Sequence, residues 1–119
     1  MAMTYYGYAK CGTCRKAKAW LDAEGLSYHE VHIVETPPTI EELKKIVETS
    51  GLPLKKFYNT SGMKYRELGL KDKLPTMSDD EQFELLSSDG MLIKRPLVTD
   101  GLKVTVGFKE SEFIENWKR

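Results

Sequence analysis

Hydrophobic and polar positions divide the chain into a short first unit, a helical middle and a final β-rich unit. Aromatic residues over 5–9 predict a first strand, and apolar side chains three and four apart over 13–24 predict a helix that stops at Gly25. Alternation over 27–34 predicts a second strand. Pro37-Pro38 then closes this β-α-β unit.

The middle of the chain carries two capping boxes, in which a Ser or Thr opens a helix and an acidic side chain follows three positions later. These boxes begin at Thr39 and Ser78, and each precedes an apolar stripe. Between them the pattern predicts only short helices, over 54–58 and 65–70. The predicted helical block covers roughly residues 38–90.

The clearest β pattern comes near the end of the chain. Segments 97–99 and 102–106 flank Asp100-Gly101, the dipeptide that a two-residue type I′ hairpin prefers. A final helix is predicted over 110–118. The side chains that it is expected to bury are Phe113, Ile114 and Trp117. The order β-α-β, helical block, β-β-α predicts a single domain over residues 1–119.

Composition narrows the classes of function. Lys and Arg total 18, as do Asp and Glu, and no block of like charges stands out, so we expect no direct nucleic-acid partner. No apolar run is long enough to cross a membrane, and the first ten residues lack the apolar region of a signal peptide. We therefore expect a cytoplasmic monomer with reduced thiols, in which two cysteines serve chemistry more often than structure.

Cys11 and Cys14 lie at the predicted junction between the first strand and the helix after it. Free backbone N–H groups and the helix dipole favour an anion there, so Cys11 is expected to ionise easily and act as the nucleophile. Cys14, one turn further on, is the expected resolving cysteine, which attacks a mixed disulfide formed on Cys11. The supporting residues, which add positive charge or keep the turn small, are Lys10, Arg15, Gly12 and Thr13.

Two other interpretations of the cysteines stay open. One is a structural pair of thiols without chemistry. The other is a metal site in which His29 and His32 join Cys11 and Cys14. The two histidines are separated by only two residues, and on a strand they point to opposite faces, so we predict no metal site.

Arg95-Pro96 precedes the predicted hairpin, which in this topology places it beside the start of the first helix. An arginine there would stabilise a thiolate and bind an anionic substrate. A surface arginine at the beginning of a strand fits the spacing equally well. Pro96 by itself is consistent with the start of an edge strand.

With Cys-Gly-Thr-Cys after the first strand and Lys94-Arg95-Pro96 before the hairpin, the chain resembles the arsenate reductase/Spx family of thioredoxin-like proteins. The resemblance covers essentially the whole chain, including Tyr-Arg-Glu-Leu-Gly-Leu at 65–70. It implies an α/β, thioredoxin-like (glutaredoxin-like) fold with a mixed central sheet and a helical block inserted between strands 2 and 3. It also implies that Pro96 is cis and packs against the CxxC pair, that Arg95 belongs to the active site, and that no cofactor is used.

Departures from the arsenate reductase pattern affect the expected substrate. The glutaredoxin-coupled arsenate reductases have serine at the Cys14 position and use three arginines for the oxyanion. Of these arginines only Arg95 is present, because Asn59 and Phe108 occupy the other two places. Without two charge-assisted contacts, arsenate binding should be sharply weaker.

The Spx-type transcription regulators share the CxxC pair and dock on the α-subunit tail of RNA polymerase through a surface that includes a glycine. Pro53 takes that place here, with Gly51 two residues earlier. The sequence therefore predicts a thiol–disulfide oxidoreductase that cycles Cys11–Cys14 and acts on a protein or low-molecular-weight disulfide. The alternatives are a redox-sensing regulator that binds the RNA polymerase α-subunit and a thiol-dependent arsenate reductase.

Overall fold

The computed structural model describes residues 2–118, and its centre is a sheet of four strands. The strands are β1 (Met3–Gly7), β2 (Tyr28–His32), β3 (Leu97–Thr99) and β4 (Val104–Val106). Their order across the sheet is β2-β1-β3-β4, with β1 parallel to β2 and the other two pairings antiparallel. The predicted mixed sheet and thioredoxin-like α/β fold are confirmed.

Six helices surround this sheet in the part of the chain that the structure describes. They are α1 (Gly12–Ala23), α2 (Ile40–Ser50), α3 (Met63–Glu67), α4 (Leu70–Lys73), α5 (Asp79–Ser88) and α6 (Glu110–Trp117). Short 3₁₀ turns occur at Leu54–Phe57, Leu74–Thr76 and Gly90–Leu92. The helices from α2 to α5 form the predicted block between β2 and β3. Across residues 2–118, none of the helices has the length and apolar character needed to span a bilayer.

Both predicted capping boxes are confirmed. The Glu42 N–H donates to Thr39 Oγ1 at 3.1 Å, and the Thr39 N–H donates to Glu42 Oε1 at 2.9 Å. Ser78 and Glu81 repeat the arrangement at 3.2 and 2.9 Å. Each box satisfies two backbone donors that the first helical turn leaves unpaired, which fixes where α2 and α5 begin.

Two elements differ from their predicted bounds. The helix predicted over 65–70 is divided into α3 and α4, because Gly69 has a φ of +62° that an α-helix cannot accommodate. The first strand was predicted over 5–9 but lies two residues earlier. The physical reason is its pairing, since Met3 is buried and lies opposite Tyr28 in the parallel register with β2.

The two-residue type I′ hairpin prediction is wrong. Thr99 pairs with Val104, so the four residues 100–103 form the loop. The Asp100 carboxylate accepts the N–H groups of the two residues after Gly101, at 2.9 and 3.0 Å. This local Asx-type turn replaces the backbone pairing that the shorter hairpin requires.

The sheet separates two hydrophobic cores, and β1 contributes to both because its side chains alternate. Tyr5 packs with Cys14 and Phe113 between the sheet and helices α1 and α6, whereas Tyr6 packs against the inserted helical block. The prediction that α6 buries Ile114 is wrong, since that side chain is 44% exposed. The buried centre of the stripe lies at Phe113 and Trp117, and Ile114, about 100° round the helix from Phe113, lies at its uncovered border.

Candidate functional site

Cys11 is the N-cap residue of α1, with an extended backbone conformation. Its Sγ accepts the Cys14 N–H at 3.4 Å, and its own N–H donates to the Tyr8 carbonyl at 3.0 Å. The sulfur therefore takes the position that a Ser or Asp oxygen usually has at a helix start. At this position the positive end of the helix dipole stabilises a thiolate.

Cys14 lies one turn further along α1 and its side chain is completely buried. The Tyr5 hydroxyl donates to its carbonyl oxygen at 2.8 Å, which joins this turn of α1 to β1. Burial, followed by the interaction with Cys11, raises the pKa of the Cys14 thiol to about 12. Cys14 is therefore protonated at neutral pH, and both cysteines are free thiols.

The pKa of Cys11 is shifted in the opposite direction from that of Cys14. Burial alone would raise its pKa, but hydrogen bonding from the Cys14 side chain and backbone N–H and the charge of Arg95 outweigh it. The pKa of Cys11 consequently lies below that of an ordinary cysteine. The pKa values of two cysteines on one helical turn are thus shifted in opposite directions, downward for the partly exposed Cys11 and upward for the buried Cys14.

Arg95 is held in a defined orientation next to Cys11. Its Nη1 donates to three backbone carbonyls, each at 3.2 Å, and its guanidinium carbon lies 5.5 Å from the centre of the Tyr8 ring. Those carbonyls belong to Gly90, Met91 and Ile93. Its Nε is buried and, within residues 2–118, has no hydrogen-bond partner. The guanidinium is anchored through one nitrogen, which keeps its charge near the thiol.

The peptide bond between Arg95 and Pro96 is cis. Pro96 is buried, and its carbonyl oxygen accepts the Gly107 N–H at 2.9 Å. These contacts fix the chain direction at the start of β3, where the side chain of Arg95 leaves the backbone.

A cavity of about 390 Å³ opens in front of Cys11. Its walls come from Cys11 and Thr13 in α1, from residues 58–61, from Lys94 and Arg95, and from residues 106–109. Asn59 and Phe108 both lie on this wall. The basic members are Lys94, Arg95 and Lys109, and none of the described lining residues carries a carboxylate. The cavity therefore has a positive potential that favours an anion.

The structure brings only some of the predicted residues together. Cys11, Cys14 and Arg95 form one cluster, and Thr13 lines the cavity. Lys10 and Arg15 are exposed and lie outside the cavity wall. A Cβ built on Gly12 meets nothing within 4 Å, so the approach to Cys11 is open there.

The histidines lie apart from this cluster. His29 and His32 are exposed on β2, and no group of three potential metal ligands occurs among the described residues.

Other side chains at the site were not predicted from the sequence. Tyr8 supports Arg95, Tyr5 holds the turn that contains Cys14, and Lys109 adds charge to the cavity. Tyr8 lies only three residues before Cys11, which places it near the site. Its contact with Arg95 could not be predicted from local sequence, because 87 positions separate the two residues. The sequence indicates Lys94 only as part of the Lys-Arg-Pro motif.

Comparison with known proteins connects this site to a family. Residues 6–116 match the family model described as the ArsC family. The uncharacterised Bacillus subtilis protein YusI is 69% identical over 117 residues, covering 98% of this chain and 99% of that protein. The B. subtilis regulatory protein MgsR is 31% identical over 117 residues, covering 98% of this chain and 91% of MgsR. The crystal structure of an ArsC-family-related protein from Bacteroides fragilis superimposes with a TM-score of 0.92 at 49% identity, covering 97% of both chains.

Proposed function

We propose that this protein, which belongs to the ArsC family, is a thiol–disulfide oxidoreductase that cycles Cys11–Cys14 between dithiol and disulfide. The observation that carries the proposal is the opposite shift of two thiols on one helical turn, downward for the pKa of Cys11 and upward for that of Cys14. A nucleophile and a protonated reserve thiol are the two components that stepwise disulfide exchange requires.

In the first step the Cys11 thiolate attacks one sulfur of a disulfide RS–SR. A Cys11–S–SR bond forms, the original S–S bond breaks, and the leaving RS⁻ takes a proton from water. Arg95 stabilises the attacking thiolate through its charge, and the N-cap position of Cys11 keeps the sulfur at the open end of α1.

In the second step Cys14 attacks the Cys11 sulfur. Forming the mixed disulfide removes the negative charge of Cys11, one of the causes that hold the pKa of Cys14 high, so Cys14 ionises more easily at that stage. The Cys11–Cys14 bond forms, the second RSH leaves, and RS–SR has been reduced by two electrons to two RSH. An external thiol then reduces Cys11–Cys14 to complete the cycle.

Trapping of the intermediate tests this proposal. The pre-reduced Cys14→Ser variant should accumulate one RS– adduct on Cys11, detected by mass spectrometry, whereas the wild-type chain should release both RSH molecules. The Cys11→Ser variant should form no adduct when it is treated with the same disulfide RS–SR. An adduct that forms on Cys14 in that variant at the wild-type rate would contradict the assigned roles.

A redox-sensing regulator is the second candidate, and the observation that favours it is the 31% identity to the regulatory protein MgsR. The resemblance to Spx-type regulators implies docking on the RNA polymerase α-subunit. Gly51, in a left-handed conformation with φ +68°, and Pro53 are exposed just after α2. Retention of this chain by the immobilised α-subunit tail, dependent on Gly51, would support the regulator, and the absence of retention would exclude it.

Arsenate reduction is a third candidate that the cavity makes unfavourable. Where the arsenate reductases have arginines, the cavity wall has the neutral amide of Asn59 and the apolar ring of Phe108. Of the three guanidinium groups that the arsenate reductases direct at the oxyanion, only that of Arg95 has a counterpart here. We expect no arsenite release in the presence of a thiol donor. If the wild-type protein released arsenite and Arg95→Ala did not, arsenate would be supported as a substrate.

A further inference from the structure

The backbone that leads into Arg95, residues 90–94, is already paired with the inserted helical block. The Lys94 N–H donates to the Phe57 carbonyl at 2.8 Å, and the Leu92 carbonyl accepts the Asn59 N–H at 2.8 Å, around one antiparallel bridge. The carbonyls of Gly90, Met91 and Ile93 accept the Arg95 guanidinium. An extended peptide binds most readily by adding to an open backbone edge, and the block occupies this edge.

The cavity that remains in front of Cys11 has the size of a small-molecule site. Its volume of about 390 Å³ lies at the lower end of the range of pockets that hold small ligands. Neutral hydrogen-bonding groups of Asn59, Thr60 and Ser61 form one wall. The basic side chains occupy other parts of the lining, so a small ligand would contact both kinds of group.

Lys94 is positioned by a close approach to Gly107. A Cβ on Gly107 would lie 3.1 Å from Lys94 Cε and 4.0 Å from its Nζ, and Gly107 has a φ of +79°. The aliphatic part of the Lys94 side chain therefore packs against Gly107, in the segment 106–109 that lines the cavity. In the part of the chain that the structure describes, neither Lys94 nor Lys109 forms an ion pair with a carboxylate. Both ammonium groups can neutralise a ligand.

We infer that the partner of Cys11 is a small anionic disulfide with carboxylate groups, and not an extended polypeptide. This inference rests on the thiol–disulfide exchange proposed above and assigns its substrate class. Lys94 and Lys109 bind the carboxylates while the Cys11 thiolate attacks the adjacent S–S bond. The products are two anionic thiols and the Cys11–Cys14 disulfide, so the two electrons come from the protein dithiol.

Single-turnover oxidation of the pre-reduced, full-length chain tests the substrate class. The probes are glutathione disulfide (anionic), hydroxyethyl disulfide (neutral), cystamine (cationic) and a neutral unstructured peptide disulfide. Each rate is divided by the rate of free 2-mercaptoethanolate with the same disulfide, which removes differences in intrinsic reactivity. We expect the order anionic, neutral, cationic, with about tenfold between the extremes at low salt, and no advantage for the peptide.

Paired variants identify the side chains that produce this order. The Lys94→Gln/Lys109→Gln variant should lower the glutathione disulfide rate by about tenfold more than it lowers the hydroxyethyl disulfide rate. Lys73→Gln, an exposed charge removal in α4 outside the cavity, is the matched control and should change neither.

Equal normalised rates for the anionic and cationic probes would overturn the inference, as would a peptide disulfide that reacts fastest. Both of those results would leave the exchange chemistry itself intact. Failure of every probe, the neutral one included, would instead refute the proposed function.

Discussion

The Tyr5 hydroxyl donates a 2.8 Å hydrogen bond to the Cys14 carbonyl oxygen, joining β1 to the first turn of α1. Both residues belong to the core between the sheet and α6, and the Tyr5 ring lies across Gly7. The position of the Cys11–Cys14 turn therefore depends on a buried contact outside the CxxC motif.

The Tyr5→Phe variant removes only this hydrogen bond. It should lower the free energy of unfolding by about 1 kcal/mol, measured by urea denaturation of the reduced protein. Tyr28→Phe is the control, because the Tyr28 hydroxyl bonds Asp22 at an exposed site and should contribute less. If the two variants lose equal stability, the Tyr5–Cys14 bond has no special role.

Gly7 and Gly12 form a second matched pair. A Cβ on Gly7 would overlap the hydroxyl and ring of Tyr5, whereas one on Gly12 meets nothing within 4 Å. Gly7→Ala should destabilise the protein by about 1–3 kcal/mol, the usual cost of overpacking a core. Gly12→Ala should leave the thermal midpoint unchanged or raise it. A Gly7→Ala protein as stable as the wild type would show that the Tyr5 ring moves freely.

The Arg95→Lys variant tests the anchored guanidinium. A lysine keeps the charge but cannot bridge three carbonyls while facing Cys11, so the pKa of Cys11 should rise toward its ordinary value. Disulfide exchange near neutral pH should then slow, and it should return to the wild-type rate at a pH above both pKa values. Arg15→Lys, at an exposed position, is the control. A pH profile identical to that of the wild type would show that the anchored Arg95 guanidinium does not stabilise the Cys11 thiolate.

The buried Cys14 thiol should make the reduced protein sensitive to alkaline pH. Its pKa is raised to about 12 by burial, so its contribution to stability is fully present below the unfolded value of about 8.5 and is lost as pH rises toward 12. Cys14→Ala should flatten the decline in unfolding free energy over that window by up to about 1.4 kcal/mol per pH unit. Urea denaturation at several pH values measures this slope. If Cys14→Ala and the wild type showed the same slope of unfolding free energy against pH, the pKa of Cys14 would not be raised in the folded protein.

Features encoded within a few residues could be predicted from the sequence. The capping box at Thr39 needs only a hydroxyl and a carboxylate three positions apart, and the Cys11–Cys14 pair needs only a strand followed by a helix. The prediction of a two-residue hairpin turn was wrong because Asp100, part of the dipeptide that favours such a turn, uses its side chain to accept hydrogen bonds from the loop backbone instead.

Features that depend on tertiary packing could not be predicted in this way. A helical stripe does not show which of its borders is covered, so Ile114 was wrongly expected to be buried. The cavity is built by residues as distant in the chain as Cys11, Asn59 and Lys109, and no local pattern brings them together. The resemblance to a family indicated Arg95, but not its three carbonyl contacts or the Tyr8 ring beside it.

The central claim, that Cys11 is an activated thiolate beside a protonated Cys14, is tested most directly by the pH dependence of alkylation in the reduced protein. Peptide mapping after a brief pulse of iodoacetamide assigns the modification to each cysteine. Cys11 should react with a midpoint below the value of about 8.5 for a free thiol, and Cys14 should stay unmodified across the same range. A Cys11 midpoint at or above about 8.5 would contradict the account.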